Sequence, residues 1–344
     1  MDIYVQYQTH EMELFWNFIA ERHLIYVRKE LNDSLPPWTN DSILENFKFT
    51  NVFRELDRGT RFVTNHILTQ DMSPTNMIFN VIAYRLFNRI ETYLHHGTLD
   101  VDTYDADKFN LLIHDFNHLK TTKTVFTSAF IVSGYSMDEL RGMDKIKRLS
   151  IVFKWIRDQL VNCEHIVNGI MADTTMENTY NLLRELTGLG PFLGYQIAVD
   201  LSYWSETQFG EDDFVVMGPG AKHGIDWLFP EKEKRRGMNE EQCCIWMRDK
   251  QFEFWDDYNI DPKVLFEDRK VPYLTLMALE NLCCEFQKYM KAHTKGGRPR
   301  NTYKSKEGHA RVQQYRENEP WNTNTFSVYD KPQNIKRYKE LIND

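Results

Sequence analysis

Gly188-Leu189-Gly190-Pro191 stands between two stretches of helical periodicity, in the string ENTYNLLRELTGLGPFLGYQIAVDL. Small–apolar–small between two short helices is the pattern of a helix-hairpin-helix. Glycines there let a backbone come close to a phosphate. The amides opening the second helix then point at the anion, helped by the helix dipole. Leu189 would fill the gap between the two helices. Such a hairpin grips duplex DNA by its phosphates without reading sequence. The same spelling also suits an ordinary αα-turn that binds nothing.

About twenty residues beyond Pro191 comes Glu211-Asp212-Asp213, followed by the apolar run Phe214-Val215-Val216-Met217 and the turn Gly218-Pro219-Gly220. Asp213 is the member that Phe214 and Val215 would fix against the core. The alternative is a capping or loop carboxylate. A second polar set lies upstream, in two stretches that read as helices. The first, 49–70, holds Asn51, Arg54, Asp57, Arg58 and Arg61. Asn51, Arg54 and Arg58 would share one face, with Asp57 and Arg61 as neighbours at i, i+4. The second, about 75–95, holds Tyr84, Arg85, Asn88 and Arg89 beside Phe79, Leu86 and Phe87. Arg and Asn amid aromatics suggest a polar cleft; the alternative is a buried Asp57–Arg85 ion pair that only holds the bundle.

The elements needed to position these groups are helical. Leu14, Phe15, Phe18, Ile19 and Ile25 recur at helical spacing over 11–31, and Asn32-Asp33-Ser34 with Pro36-Pro37 ends that helix. Ser73-Pro74 is a helix start and Gly97 a stop. Further helices are expected at 105–119, 136–160, 162–170, 176–186, 191–203, 219–229, 239–256 and 272–292. The β-branched segment 120–133 is ambiguous, and 205–218 reads as a loop. Residues 295–344 read as an extended basic arm with at most a short terminal helix. The expected fold is all-α: a bilobal helical bundle with a central helix-hairpin-helix. Its lobes would be about 1–135 and 136–295. By segment, 1–40 is an N-terminal helix, 41–295 the main helical domain with the hairpin at 176–201, and 296–344 the arm.

Composition sets the bounds. The 344 residues, 42% hydrophobic and 14% aromatic, suffice for a sizeable core. The net charge of −8 is not that of a general nucleic-acid binder. Yet Lys288, Lys291, Lys295, Arg298, Arg300, Lys304, Lys306, Arg311 and Arg316 crowd one stretch against Glu307 alone. Arg298, Arg300 and Lys304 are accordingly candidate DNA contacts, as are Gly188, Leu189 and Gly190. The five cysteines, Cys163, Cys243, Cys244, Cys283 and Cys284, make no C-x-x-C and suggest reduced thiols in a cytoplasmic setting. His95, His96, His114 and His118 lack a third ligand, so no metal is expected. Trp204, Trp227 and Trp246 suit core or a base-stacking wall. No apolar run approaches the eighteen or so residues of a membrane span, and the N-terminus does not read as a signal peptide. There is no G-x-x-x-x-G-K-[ST] loop and no G-x-G-x-x-G, so kinase and dinucleotide chemistry have no support, and no cofactor is expected.

Five strings carry a resemblance: NVFRELDRGTRF (51–62), AYRLFNRIETY (83–93), GLGPFLGYQIAVDL (188–201), DDFVVMGPGAKHGI (212–225) and ENLCCEFQKYMKAHTKGGRPRNTY (280–303). In this order, over about 40–305, they resemble the all-helical domain of thymine hypermodification in phage DNA. That family includes the helical domain of 5-hydroxymethyluracil DNA kinases. It is related to the α-glutamyl- and putrescinyl-thymine pyrophosphorylases, and its fold to helix-hairpin-helix DNA glycosylases. In those glycosylases a catalytic Asp lies about as far past the hairpin as Asp213 does here. The position where bifunctional members carry a lysine nucleophile is Phe192, so no Schiff-base chemistry is expected.

The resemblance implies work on a modified pyrimidine in double-stranded DNA. The base would be flipped out, and an amine, an amino acid or polyamine, would displace pyrophosphate from its methylene. Asp213 or Asp57 would take the proton, and Arg58 and Arg85, with Asn88 beside them, would hold the leaving group. A separate P-loop kinase would supply the activated base. Two other readings remain open: a monofunctional glycosylase excising a modified pyrimidine, and a non-catalytic DNA-binding partner of the kinase.

Overall fold

The structure is a computed structural model that describes residues 7–119, 125–127, 137–172, 175–230, 237–266, 272–297, 299, 301–322 and 331–343. In chain order its helices are α1 His10–Tyr26, α2 Ser42–Asn46, α3 Arg58–Phe62, α4 Pro74–Phe87, α5 Ile90–His96 and α6 Ala106–Leu119. Then come α7 Lys145–Asn162, α8 Glu164–Ala172, α9 Met176–Glu185, α10 Pro191–Ser202, α11 Pro219–Leu228 and α12 Glu240–Asp249. The last are α13 Gln251–Asp257, α14 Pro262–Phe266, α15 Leu276–His293, α16 Ser305–Asn318 and α17 Pro332–Leu341. The fold is all-α. Among the described residues the one extended pairing is an isolated bridge between Phe47 and Thr302. No described helix is long and apolar enough to cross a membrane, and none of the five cysteines forms a disulfide.

The chain forms two compact units, and they do not follow chain order. One is Arg58–Phe214; the other joins Met1–Asp57 to Val215–Asp344. This division differs from the lobes expected at 1–135 and 136–295: in sequence, Arg58–Phe214 interrupts the other unit.

The Arg58–Phe214 unit is built around α4 and α10, which pack on each other. Every residue of α4 from Met77 to Phe87 is buried, as is every residue of α10 from Leu193 to Ser202. Helices apolar on all sides belong in a core, and each large side chain buried there contributes roughly 2 kcal/mol. Ser73 caps α4 as expected, its Oγ accepting from the Asn76 amide at 3.3 Å, with Pro74 in the first turn. One helix was expected across 75–95. Instead α4 stops at Phe87, because Asn88 turns left-handed (φ 50°, ψ 39°), and α5 begins at Ile90. Asn is among the few residues that tolerate this conformation.

The expected helix over 49–70 does not form either. A 3-10 turn, Arg54–Leu56, gives way to extended backbone at Asp57 (ψ 138°), and α3 then runs into the π-turn Val63–Ile67. Asp57 uses its side chain instead, accepting from the Asn51 amide at 3.0 Å. Asn51, Arg54 and Arg58 therefore share no helix face, and Asp57 and Arg61 are not one turn apart in a single helix.

In the other unit α11 and α15 pack backbone to backbone. A Cβ on Gly224 would stand 2.1 Å from the Cys283 carbonyl oxygen. α1 lies on α15 through Phe15–Phe286 and Phe18–Tyr289 ring contacts at 5.2 and 5.1 Å. The stretch expected as one helix over 239–256 breaks at Lys250 into α12 and α13. The tail also differs from the extended arm expected over 295–344, for it carries α16 and α17. Its start is pinned by Lys48 N–H donating to Asn301 O (3.0 Å) and Tyr303 N–H to Asn46 O (2.7 Å). Tyr303 and His309 then pack on Trp38, with ring centroids at 6.3 and 6.0 Å. Those partners lie far away in sequence, so a polar composition alone read as open chain. Most of the ambiguous 120–133 segment lies outside the described residues.

Candidate functional site

At this position a turn joins two helices, α9 and α10, that pack on each other. Thr175 caps α9, α9 ends at Glu185, and Leu189 N–H closes onto Leu186 O at 3.1 Å. Gly188 has φ +99°, a conformation that requires glycine. Leu189 is buried (4% exposed). Gly190 caps α10 with Pro191 in its first turn, and no side chain caps that helix. A Cβ built on Gly190 meets nothing within 4 Å, so there is room in front of the turn. The Gln159 side chain braces the turn from α7, accepting from Thr187 N–H (2.8 Å) and donating to Glu185 O (3.2 Å). Sequence reasoning missed Gln159, since only the tertiary contact reveals it.

A buried polar network lies in the same unit. Arg85 makes a two-point pair with Asp200: its Nε bonds Oδ2, and its Nη2 donates to Oδ1 at 2.6 Å. Asp200 is fully buried and Arg85 nearly so. Nη1 of Arg85 donates to Asn88 Oδ1 at 3.1 Å, and Asn88 Nδ2 donates to Thr127 Oγ1 at 3.4 Å. The acid that meets Arg85 is thus Asp200, in place of the Asp57 pairing considered from sequence. A signal existed: a lone Asp inside the apolar run IAVDL must find a cation if its helix is buried. Burial also pushes the neighbouring Tyr84 phenol up to about 12. Arg58 and Arg89, both partly exposed, converge on Glu91 at 3.5 and 3.2 Å.

Of the acidic trio, the buried members are Glu211 and Asp212, each 2% exposed. Glu211 accepts from the Tyr203 hydroxyl. Asp213 is exposed, and its Oδ2 accepts from the Gly210 amide at 2.8 Å. Phe214 and Val215 therefore do not turn it toward the core; its predecessors Glu211 and Asp212 take the buried positions.

In the other unit Asp57 is half-buried beside Arg22 and Arg54. Burial pushes its carboxyl up to about 6, against the opposing pull of the Asn51 amide and both arginines. Arg22 Nη2 donates to Asn51 Oδ1 at 2.8 Å. Glu280, 5% exposed, accepts from the Gly218 amide at 3.1 Å, and burial pushes it up to about 7. Sequence reasoning did not single out Arg22 or Glu280, although Glu280 opens one of the five strings. Lys304 is exposed and pairs with Glu307 at 3.2 Å. Arg298 and Arg300 lie outside the described residues. No group of His, Cys, Asp or Glu among the described residues is arranged to hold a metal; His114 pairs with Asp144 at 3.2 Å.

Comparison with known proteins gives the family. Residues 9–298 match the profile described as 5-hmdU DNA kinase, helical domain. A 5-hmdU DNA kinase of Bacillus phage SP10 is 24% identical over 309 residues, covering 84% of this chain and 47% of that protein. The chain thus spans about half the length of that relative. No solved structure matches it. By a match that runs through the hairpin, the Arg85–Asp200 network and the raised acids alike, the chain belongs to the family of the 5-hmdU DNA kinase helical domain.

Proposed function

We propose that this chain works in the modification of 5-hydroxymethyluracil in DNA, and that its step is transfer of an amine onto the activated base. The family match over residues 9–298 carries the reading. The relative's name supplies modified DNA as the substrate class.

The target base is flipped from the duplex at a cost of a few kcal/mol. Gly188 to Gly190 hold a backbone phosphate, and the open space at Gly190 suits such an approach. Arg298, Arg300 and Lys304 add phosphate contacts. At the base, the amine nitrogen attacks the C5 methylene and a C–N bond forms. The methylene C–O bond breaks and pyrophosphate leaves with its electron pair. The proton released from nitrogen passes to Asp213 or Asp57. A carboxyl held near 6 is mostly ionised at pH 7.5 and is close enough in basicity to share a proton. Arg58 contacts the leaving group. Arg85, already committed to Asp200, positions Asn88 and Tyr84 instead, and Arg89 is the better second cation because it shares Glu91 with Arg58.

One observation favours a second reading. The match is to the helical domain of a DNA kinase, the part that would hold DNA for a kinase. The deciding experiment incubates the purified chain with DNA carrying 5-hydroxymethyluracil, free or pyrophosphorylated, and a panel of amines. Digested nucleosides are then weighed by mass spectrometry. An amine-bearing thymidine establishes the transfer. An abasic site replaces it with glycosylase chemistry. Unchanged nucleosides with salt-dependent DNA binding leave the partner role.

A further inference from the structure

Residues 49–51 form no helix, yet their polar groups are held from two sides. From α1, Arg22 Nη2 donates to Phe49 O at 3.2 Å and to Asn51 Oδ1 at 2.8 Å. From α15, Glu285 Oε2 accepts from Thr50 N–H at 3.3 Å. Asn281 Nδ2 donates to Thr50 Oγ1 at 2.9 Å and to Asn51 O at 3.4 Å. Asn281 and Glu285 stand at i and i+4 on one face of α15, and Lys288, one turn further, donates to Glu285 Oε1 at 2.5 Å. Glu285 is 3% exposed. A buried carboxylate is costly unless paired, so a brace of this kind is an unfavourable way to fix a plain loop.

What the loop carries is the hold on Asp57. Asn51 N–H donates to Asp57 Oδ1 at 3.0 Å, and Asn51 Nδ2 donates to Leu56 O at 3.0 Å, closing the stretch 51–57. The Asp57 carboxyl is half-buried, and its Oδ2 accepts no hydrogen bond from a described residue. All of these groups belong to one unit. The charges facing Asp57 are Arg22 from α1, Arg54 from the 3-10 turn, and Glu285 and Lys288 from α15. One oxygen fixed, one oxygen open, and a carboxyl that burial pushes up to about 6 describe a group set to take and release a proton near neutral pH.

We propose that Asn281 and Glu285 are positioning residues for Asp57: from α15 they hold the backbone of Thr50 and Asn51 where the Asn51 amide fixes one carboxylate oxygen and leaves the other for a proton. The positioning follows from the hydrogen bonds alone. That the proton is the one released by the attacking amine rests on the reading of the previous subsection. The two residues act differently. Asn281 acts on geometry, because it binds Thr50 and Asn51 directly. Glu285 acts on geometry through Thr50 N–H and also on charge, because its carboxylate opposes ionisation of Asp57.

The test is NMR of the full chain, following the Asn51 amide from pH 4.5 to 8. In the natural chain this amide should shift as Asp57 ionises, with a midpoint at about 6, and Asp57→Asn should remove the transition. Asn281→Ala should speed exchange of the Asn51 amide with solvent about two- to tenfold, the range of one net hydrogen bond, and flatten its transition. Thr50→Val removes the Oγ1 acceptor without touching α15 and should do the same, so the test stands even if Asn281→Ala folds poorly. Amides within α15, such as Leu282 and Phe286, should be unaffected; a general loss of stability would speed them too and would overturn the positioning role. Glu285→Gln keeps an acceptor for Thr50 N–H and removes the charge, so the transition should persist with its midpoint moved below that of the natural chain. An Asn51 amide indifferent to both Asn281→Ala and Thr50→Val, or a midpoint that stays or rises in Glu285→Gln, would likewise overturn the proposal. If product forms and the acid limb of its kcat ignores Glu285→Gln while the NMR midpoint moves, the positioning stands and Asp57 is not the acceptor in the transfer. If the NMR results hold and no product forms, the positioning stands and the transfer reading fails.

Discussion

Glu280 gives the sharpest test of the electrostatic account. Its carboxyl is 5% exposed, and burial lifts it from 4.5 to about 7 even though the Gly218 amide and Arg54 pull the other way. The folded state therefore holds this proton more tightly than the unfolded state does. Its contribution to stability is present below pH 4.5 and is lost as pH rises through about 7. At 1.36 kcal/mol per unit the loss amounts to about 3 kcal/mol. Gln at this position keeps the acceptor for the Gly218 amide, 3.1 Å away, without the charge. Glu280→Gln should match the natural chain near pH 4.5 and exceed it by about 3 kcal/mol at pH 8. For 344 residues, with an unfolding entropy of about 2.1 cal/mol/K per residue, that is a rise in Tm of about 4 °C. Asp57 titrates in the same direction, from 3.8 to about 6, but is common to both proteins, so the difference isolates Glu280. Thermal and urea unfolding across pH 4.5 to 8.5 make the measurement. A variant less stable than the natural chain at pH 8 would mean that attraction to Arg54 outweighs desolvation, and the argument would fail.

Other outcomes follow from the same geometry. Asp200→Asn leaves Arg85 buried without its anion and should cost about 3–5 kcal/mol by urea unfolding, with the double variant Arg85→Met, Asp200→Leu recovering most of it. Gly190→Ala should leave stability within about 0.5 kcal/mol, since its Cβ meets nothing within 4 Å, yet lower DNA affinity in a fluorescence-anisotropy titration; undiminished affinity would take the hairpin out of the interface. Lys304→Ala should reduce the salt slope of DNA binding by about 0.9, as one lost phosphate contact does, and an unaltered slope would remove Lys304 from the contact set. Asp213→Asn should abolish product in the nucleoside assay while DNA binding persists; full turnover would leave Asp57 as the proton acceptor.

Local chemistry was legible in the sequence. Gly188, Leu189, Gly190 and Pro191 spell a turn between helices because backbone conformation, a plug and a helix start are set by the residues themselves. Ser73-Pro74 and Gly97 mark helix ends for the same reason. The all-helical class follows from apolar spacing repeated along the chain. What depended on distant partners was not legible. Asp57 and Asn88 leave helical geometry inside stretches whose periodicity continues across them. Arg85 finds Asp200 across 115 positions of sequence. The tail folds because Trp38 and residues 46–48 receive it. The raised acids, Asp57 and Glu280, owe their basicity to burial, which no residue carries in its own identity. Sequence decided which residues could start, stop or plug a helix, since those terms act within a turn or two of chain. Tertiary structure alone decided which charges lost water and which partners they met, because desolvation and pairing depend on neighbours that only folding brings together.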